Sequence, residues 1–328
     1  MELRPFGSTG RQVTPLGLGL AALGRPGYIT LDHADDLNAD YDVAAMQAHT
    51  HSVLDAAYAA GIRYFDAARS YGRAEAFLGN WLRARTFAHD AVTVGSKWGY
   101  TYTADWQIDA ENHEIKEHSL AVLQRQWSET QAELGGYLDL YQIHSAKLET
   151  GVLDAVDVLN ELARLKGAGT AIGLTLSGPG QAETLRKALT VQIDNQPLFD
   201  TVQITWNILE PSTSSVLNEA HARGMAVIVK ETLANGRLTP RNRDPKAHEI
   251  LAAQAARLNT TIDALALAAV LAQPWATVIL SGAARVEHLE SNVKALDVIW
   301  DDEAAEAVKP LIESPELYWS KRSALAWN

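Results

Sequence analysis

An aspartate, a tyrosine, a lysine and a histidine each follow an apolar run in this sequence, and their chemistries interlock. The run 62–65 leads into Asp66, and Tyr71 follows after one short turn, within "FDAARSYG". The run 91–96 ends at Lys97, the run 138–143 at His144, and the run 201–206 at Asn207. A phenol has an ordinary pKa of about 10, too high for an ideal proton donor near neutrality. A neighbouring ammonium favours phenolate, which gives Lys97 a task. A buried lysine needs a carboxylate partner, and Asp66 supplies one. The imidazole of His144 can hold a substrate oxygen or assist proton movement. Together they place a proton donor beside a carbonyl oxygen, which suits hydride addition from a bound cofactor. Singly, each has a plainer reading: a turn-forming aspartate, a tyrosine at a bend, a solvated lysine, a satisfied core histidine. Their joint appearance at the ends of successive apolar runs favours chemistry.

Eight short apolar runs act as strand candidates: 13–20, 62–65, 91–96, 138–144, 170–176, 201–206, 225–230 and 277–282. Amphipathic stretches separate them, which predicts a parallel sheet with crossover helices. In 152–169, Val152, Val156, Leu159 and Ala163 fall at helical spacing, and Gly167 supplies a stop. The stretch around Leu120, Leu123, Trp127 and Leu134 behaves likewise, and "TTIDALALAAVL" opens with a threonine cap. The strands are almost wholly apolar, so both their faces are covered. An open dinucleotide-binding sheet carries G-x-G-x-x-G after its first strand. Gly17, Gly19 and Gly24 have the wrong spacing. The prediction is therefore α/β, a (β/α)8 TIM barrel forming one domain over 1–328. In such barrels the reactive residues come from the C-terminal strand ends. A long polar loop, 25–46, is expected over the mouth, and its acidic stretch 35–42 reads as solvated and lacks a calcium-loop pattern. No metal is expected.

Charge and composition exclude other classes. With 28 Lys plus Arg against 40 Asp plus Glu, the net charge is −12, which argues against a nucleic-acid partner. There is no cysteine, so disulfides and thiolate chemistry are excluded. The N-terminus lacks a secretory apolar run, and the most apolar window, 265–280, is broken by Gln273 and Pro274. The expectation is a cytoplasmic protein with no membrane partner.

The ordered set of motifs resembles the aldo-keto reductase family. "RPFGSTGRQVTPLGLG" is similar to its opening hairpin and first strand, "VQITWNILEP" to its segment with glutamine and asparagine, and "SGAARVEHLESNVKAL" to its nucleotide-binding segment. The likeness extends to about Leu296. It implies that Asp66, Tyr71, Lys97 and His144 form the catalytic tetrad, in "FDAARSYG", "GSKWG" and "LYQIHSA". It implies nicotinamide contacts at Gln203 and Thr175. Leu176 stands where the family has asparagine, and Ser177 is the expected substitute. Lys230 stands where an aromatic residue usually stacks on the nicotinamide. Leu233, Gly236 and Gly282 are expected along the phosphates, Asn292 at the adenine, and His288 in place of the usual arginine, with Arg285 as its stand-in. NADP(H) is favoured, with NAD(H) as the alternative. Trp98, Tyr100 and Asn207 are expected to meet the substrate, a small carbonyl or alcohol. Other aromatic residues gather at Tyr102, Trp106, Trp206, Tyr318, Trp319 and Trp327, as loop packing or substrate wall. Two other functions stay open: a Schiff-base aldolase using Lys97, or a cofactor-binding regulatory subunit with little turnover.

Overall fold

The computed structural model describes residues 1–328. All eight strand candidates enter one closed barrel. We number its strands β1 (Leu16–Gly19), β2 (Tyr64–Asp66), β3 (Thr93–Trp98), β4 (Leu138–Ala146), β5 (Ala171–Leu176), β6 (Thr201–Thr205), β7 (Ala226–Lys230) and β8 (Val278–Ser281). Each pairs in parallel with its successor, and β8 closes on β1. Parallel pairing in sequence order requires crossover helices, and these cover the outer strand faces. The main core cluster lies between strands and helices, with Trp81, Leu162 and Leu217 fully buried in it.

The barrel floor is closed by a hairpin, Arg4–Pro5 paired with Gln12–Val13. Phe6 and Val13 pack there against Tyr64, Leu140 and Ile228. The helix Val156–Gly167 buries Val158, Leu159, Leu162 and Leu165. This corrects the face read from spacing, because Val156 begins the helix and is 67% exposed. Thr261 caps the helix Ile262–Leu271 through the Ala264 amide, as the sequence predicts. No helix is long and apolar enough to cross a membrane.

The segments after β1, β3, β7 and β8 and the C-terminal tail build the mouth above the C-terminal strand ends. The segment after β1 contains the single helical turn His33–Asp36. The segment after β3 folds into a hairpin, Tyr100–Tyr102 with Glu114–Lys116. The chain's last helix, Pro315–Ser323, brings Trp319 and Arg322 to the rim, and Trp327 follows it.

Candidate active site

The interior of the barrel is polar where β2, β3, β4 and β6 meet. Asp66 ends β2 and is buried. One of its carboxylate oxygens pairs with the Lys97 ammonium. The other accepts from Tyr64 Oη at 3.2 Å, Gln142 Nε2 at 3.3 Å and Gln203 Nε2 at 3.0 Å. Gly95 makes room for this arrangement, since a Cβ there would fall 2.6 Å from the Tyr64 hydroxyl. Lys97 also donates to the Ala67 carbonyl at 2.8 Å and has no exposed surface. Burial pushes its ammonium below the ordinary value, and Asp66 opposes the shift. A desolvated ion pair with this many partners is held rigidly.

The turn after β2 carries Tyr71 and is braced from outside. The Arg73 amide donates to the Gly24 carbonyl at 2.7 Å. A Cβ on Gly24 would fall 2.2 Å from the Tyr71 carbonyl, so only glycine allows the two loops to cross this closely. The Tyr71 ring stands edge-on to His144 at 5.5 Å, and the Lys97 ammonium lies 4.6 Å from its centroid. His144 sits on β4 with Nδ1 3.4 Å from Ser70 Oγ. Burial, then the Lys97, Lys230 and Arg25 cations, hold the imidazole well below its ordinary range. It is neutral at pH 7 and offers one donor and one acceptor nitrogen.

The sequence reading expects Lys97 to lower the Tyr71 pKa. In this structure the phenol is instead held well above its ordinary value, first by burial and then by Asp66. The cation that opposes this is Arg25. Lys97 lies against the ring, with its charge taken by Asp66.

Tyr71 and His144 open into a cleft of about 620 Å³. Asp66, Tyr100, Ser177, Gln203, Lys230, Leu233, Gly236, Gly282, His288 and Asn292 also line it. Lys230 donates to Thr205 Oγ1 at 3.0 Å. The neighbouring Glu231 pairs with Arg322 at 2.8 Å. Burial works against that carboxylate, but Arg322 and Lys230 outweigh it and hold its pKa at about 2. Asn292 donates to Asp263 at 2.8 Å and accepts from Ser281 at 2.7 Å, so its amide is fixed in orientation.

Four expected contacts lie off this surface. Trp98 follows Lys97 on β3, and successive strand residues point to opposite faces. It is fully buried in the main core, edge-on to His118 at 5.7 Å. Asn207 spends its amide inside the protein: Nδ2 on the Glu231 carbonyl and Tyr318 Oη, Oδ1 on the amides of Leu209 and Glu210. It braces the β6 turn. Thr175 is buried, with Oγ1 accepting from the Ser145 amide at 2.8 Å. Arg285 turns to Glu287 and the Asp35 carbonyl. Leu176 is a core residue.

Other lining residues come from loops that periodicity does not register. Arg25 is buried beside Tyr71, bonded to the Ser70 carbonyl at 2.8 Å and to Glu114 at 3.1 Å. Its guanidinium lies 4.7 Å from the Trp327 ring centroid, and Tyr28 lines the same wall. Asp36, in the stretch expected to be solvated, is buried and paired with Arg241.

A model of the Aldo/keto reductase family matches residues 15–313. Over 325 residues the chain is 25% identical to the aldo-keto reductase str7 of Strobilurus tenacellus, covering 92% of this chain and 88% of that one. It is 27% identical over 357 residues to the NADH-specific methylglyoxal reductase of Escherichia coli, covering 96% and 100%. The solved holo form of aldo-keto reductase AKR11C1 from Bacillus halodurans shares the fold, with a TM-score of 0.71 at 19% identity over 96% of this chain and 97% of that one.

Proposed function

The chain belongs to the aldo/keto reductase family, and on that premise we propose a specific reading. It is an NAD(P)(H)-dependent oxidoreductase that interconverts a carbonyl and its alcohol, built as one barrel domain over 1–328. The observation that carries this is the convergence of Tyr71, neutral His144 and the sealed Asp66–Lys97 pair at one end of a single cleft.

The cleft suits a dinucleotide. The buried Thr232 hydroxyl and the Asn235 side-chain oxygen have no partner in the protein, and both residues line the cleft. A ligand with polar groups along its length would take them up. Gln203 and Ser177 would hold the nicotinamide, Leu233, Gly236 and Gly282 would flank the phosphates, and Asn292 would meet the adenine. Bound nicotinamide supplies or accepts the hydride.

The protein's own groups manage the proton. The raised phenol keeps its proton at neutral pH, which suits the reductive direction. Tyr71 donates to the carbonyl oxygen as that oxygen gains charge, and His144 orients the same oxygen. Arg25, close to the Tyr71 ring, stabilises the phenolate left behind, while Lys97, its charge taken by Asp66, lies against the same ring. Tyr28, Tyr100 and Trp327 beside Arg25 and Glu114 make a wall that suits a small aromatic or polyhydroxylated aldehyde. The Schiff-base reading is disfavoured, because Lys97 has no exposed surface and does not line the cleft.

Tyr71→Phe tests the proposal. Turnover of a small aldehyde is expected to fall by about 10²–10⁴-fold, with cofactor affinity nearly intact. A fully active phenylalanine variant would overturn it.

A further inference from the structure

The end of the cleft remote from Tyr71 is bordered by His33, Asp36, Arg241, His288 and Asn292. Asp36 is buried, its side chain only 4% exposed. Arg241 reaches it from the opposite rim and places both terminal nitrogens on the carboxylate. One of those nitrogens also donates to the Leu31 carbonyl at 2.8 Å. His288 Nε2 stands 3.8 Å from Asp36 and 3.5 Å from Arg241. Burial holds His288 below its ordinary value, against the pull of Asp36. It is therefore neutral at pH 7. The remaining cations nearby are also matched, Arg243 by Asp32 and Arg285 by Glu287.

A 2′-phosphate brings close to two negative charges. Arriving here, it meets a guanidinium already neutralised and the carboxylate that neutralises it. To bind, it must compete with Asp36 for Arg241 and bring its charge against that buried carboxylate, which is unfavourable. A free 2′-hydroxyl has the opposite experience. A carboxylate accepts about four hydrogen bonds, so Asp36 can take a ribose O–H while keeping Arg241. In dinucleotide sites generally, a carboxylate pairs with the 2′-hydroxyl and an available arginine with the 2′-phosphate.

We propose that Asp36, locked to Arg241, is the residue that selects the cofactor, and that this chain takes NAD(H) in preference to NADP(H). The proposal rests on the reading that the cleft holds a nicotinamide dinucleotide. It reverses the preference expected from the family resemblance. Arg285, the cation that the sequence offers for a phosphate, lies beside Glu287, and Arg241, the cation that the fold brings to the cleft, is held by Asp36.

The test is to titrate NADH and NADPH separately into the full chain and follow tryptophan quenching. NADH is expected to bind tighter by about tenfold or more, or about 1.4 kcal/mol. Asp36→Asn, which keeps the shape and removes the charge, should narrow that ratio chiefly by raising NADPH affinity. Arg241→Gln should leave NADPH weak. Equal affinities, or a preference for NADPH, in the unaltered protein would overturn the proposal even if Asp36→Asn fails to fold. A folded Asp36→Asn with an unchanged ratio would remove Asp36 from the selecting role. If neither nucleotide binds, the reductase reading itself falls, a different result from NADPH winning.

Discussion

Each end of the cleft is organised by a buried carboxylate holding a cation, but the two pairs are built differently. Asp66 and Lys97 stand on adjacent barrel strands, with side-chain exposures of 2% and 0%. Asp36 and Arg241 come from segments about 200 residues apart, with exposures of 4% and 26%. The first pair is fixed by sheet register, since Asp66 pairs with Gly95 and Lys97 with Gln142. The second is fixed only by loops that bond to each other, as where the Leu31 amide meets the Asn235 carbonyl at 3.1 Å. Proton transfer needs distances held by a rigid scaffold, whereas recognition is served by segments that adjust to the ligand. On the proposed function, this cleft divides those two requirements between its ends.

The largest expected difference is in stability. Lys97→Met leaves Asp66 buried without its cation and should cost about 3–5 kcal/mol. Arg241→Met should cost about 1–2 kcal/mol, because the guanidinium is partly solvated and its loss can be relieved by water. Urea unfolding of both variants measures the contrast. Adding Asp66→Asn to Lys97→Met should recover part of the loss. Equal costs at the two ends would erase the distinction drawn above.

Acid should separate the ends next. His33 lies in the same turn as Asp36, buried, with neither ring nitrogen bonded. Burial lowers its pKa to about 4, outweighing the opposing pull of Asp36, with Arg25, Arg241 and His49 adding to the lowering. The unfolded imidazole takes its proton near the ordinary 6.5. Between these values the unfolded state binds more protons, so stability falls as pH falls. The contribution is complete above about 6.5 and lost by about 4, on the order of 3 kcal/mol. The other end carries Glu231, whose value of about 2 keeps its pair with Arg322 intact throughout this window. Amide protection in 28–36, taken relative to the intrinsic exchange rate at each pH, should therefore fall between pH 6.5 and 4, before protection in β2 and β3 changes. Simultaneous opening would show that the recognition end is no looser than the barrel.

The same division explains what could be read from the sequence. The strands were legible because each is an apolar run punctuated by a polar residue, and Asp66, Lys97 and His144 mark those stops. The lapses at Trp98 and Asn207 came from proximity in sequence. Trp98 adjoins Lys97 but faces the helices, and Asn207 follows a strand but turns its amide to backbone and Tyr318. Arg25, Glu114, Asp36 and Arg241 carried no local signal, because their partners are set by which loops meet above the barrel. Loop meetings depend on tertiary packing that no window of residues encodes. Net charge was equally uninformative there: the cations are present, and only the fold reveals that they are already matched.

Arg285 gives the smallest and most discriminating expectation. By sequence it is a candidate for the 2′-phosphate, three residues before His288. In the structure its guanidinium serves Glu287 at 3.4 Å and the Asp35 carbonyl at 3.4 Å, on a partly exposed surface. An exposed pair at that separation contributes little, so Arg285→Gln should change stability by less than about 0.5 kcal/mol. It should also leave the ratio of NADH to NADPH affinity unchanged, because the selecting charge lies on Asp36. A selective loss of NADPH binding in this variant would mean that Arg285 leaves Glu287 to meet a phosphate. The recognition end would then rearrange around its ligand, and the carboxylate lock would not control entry.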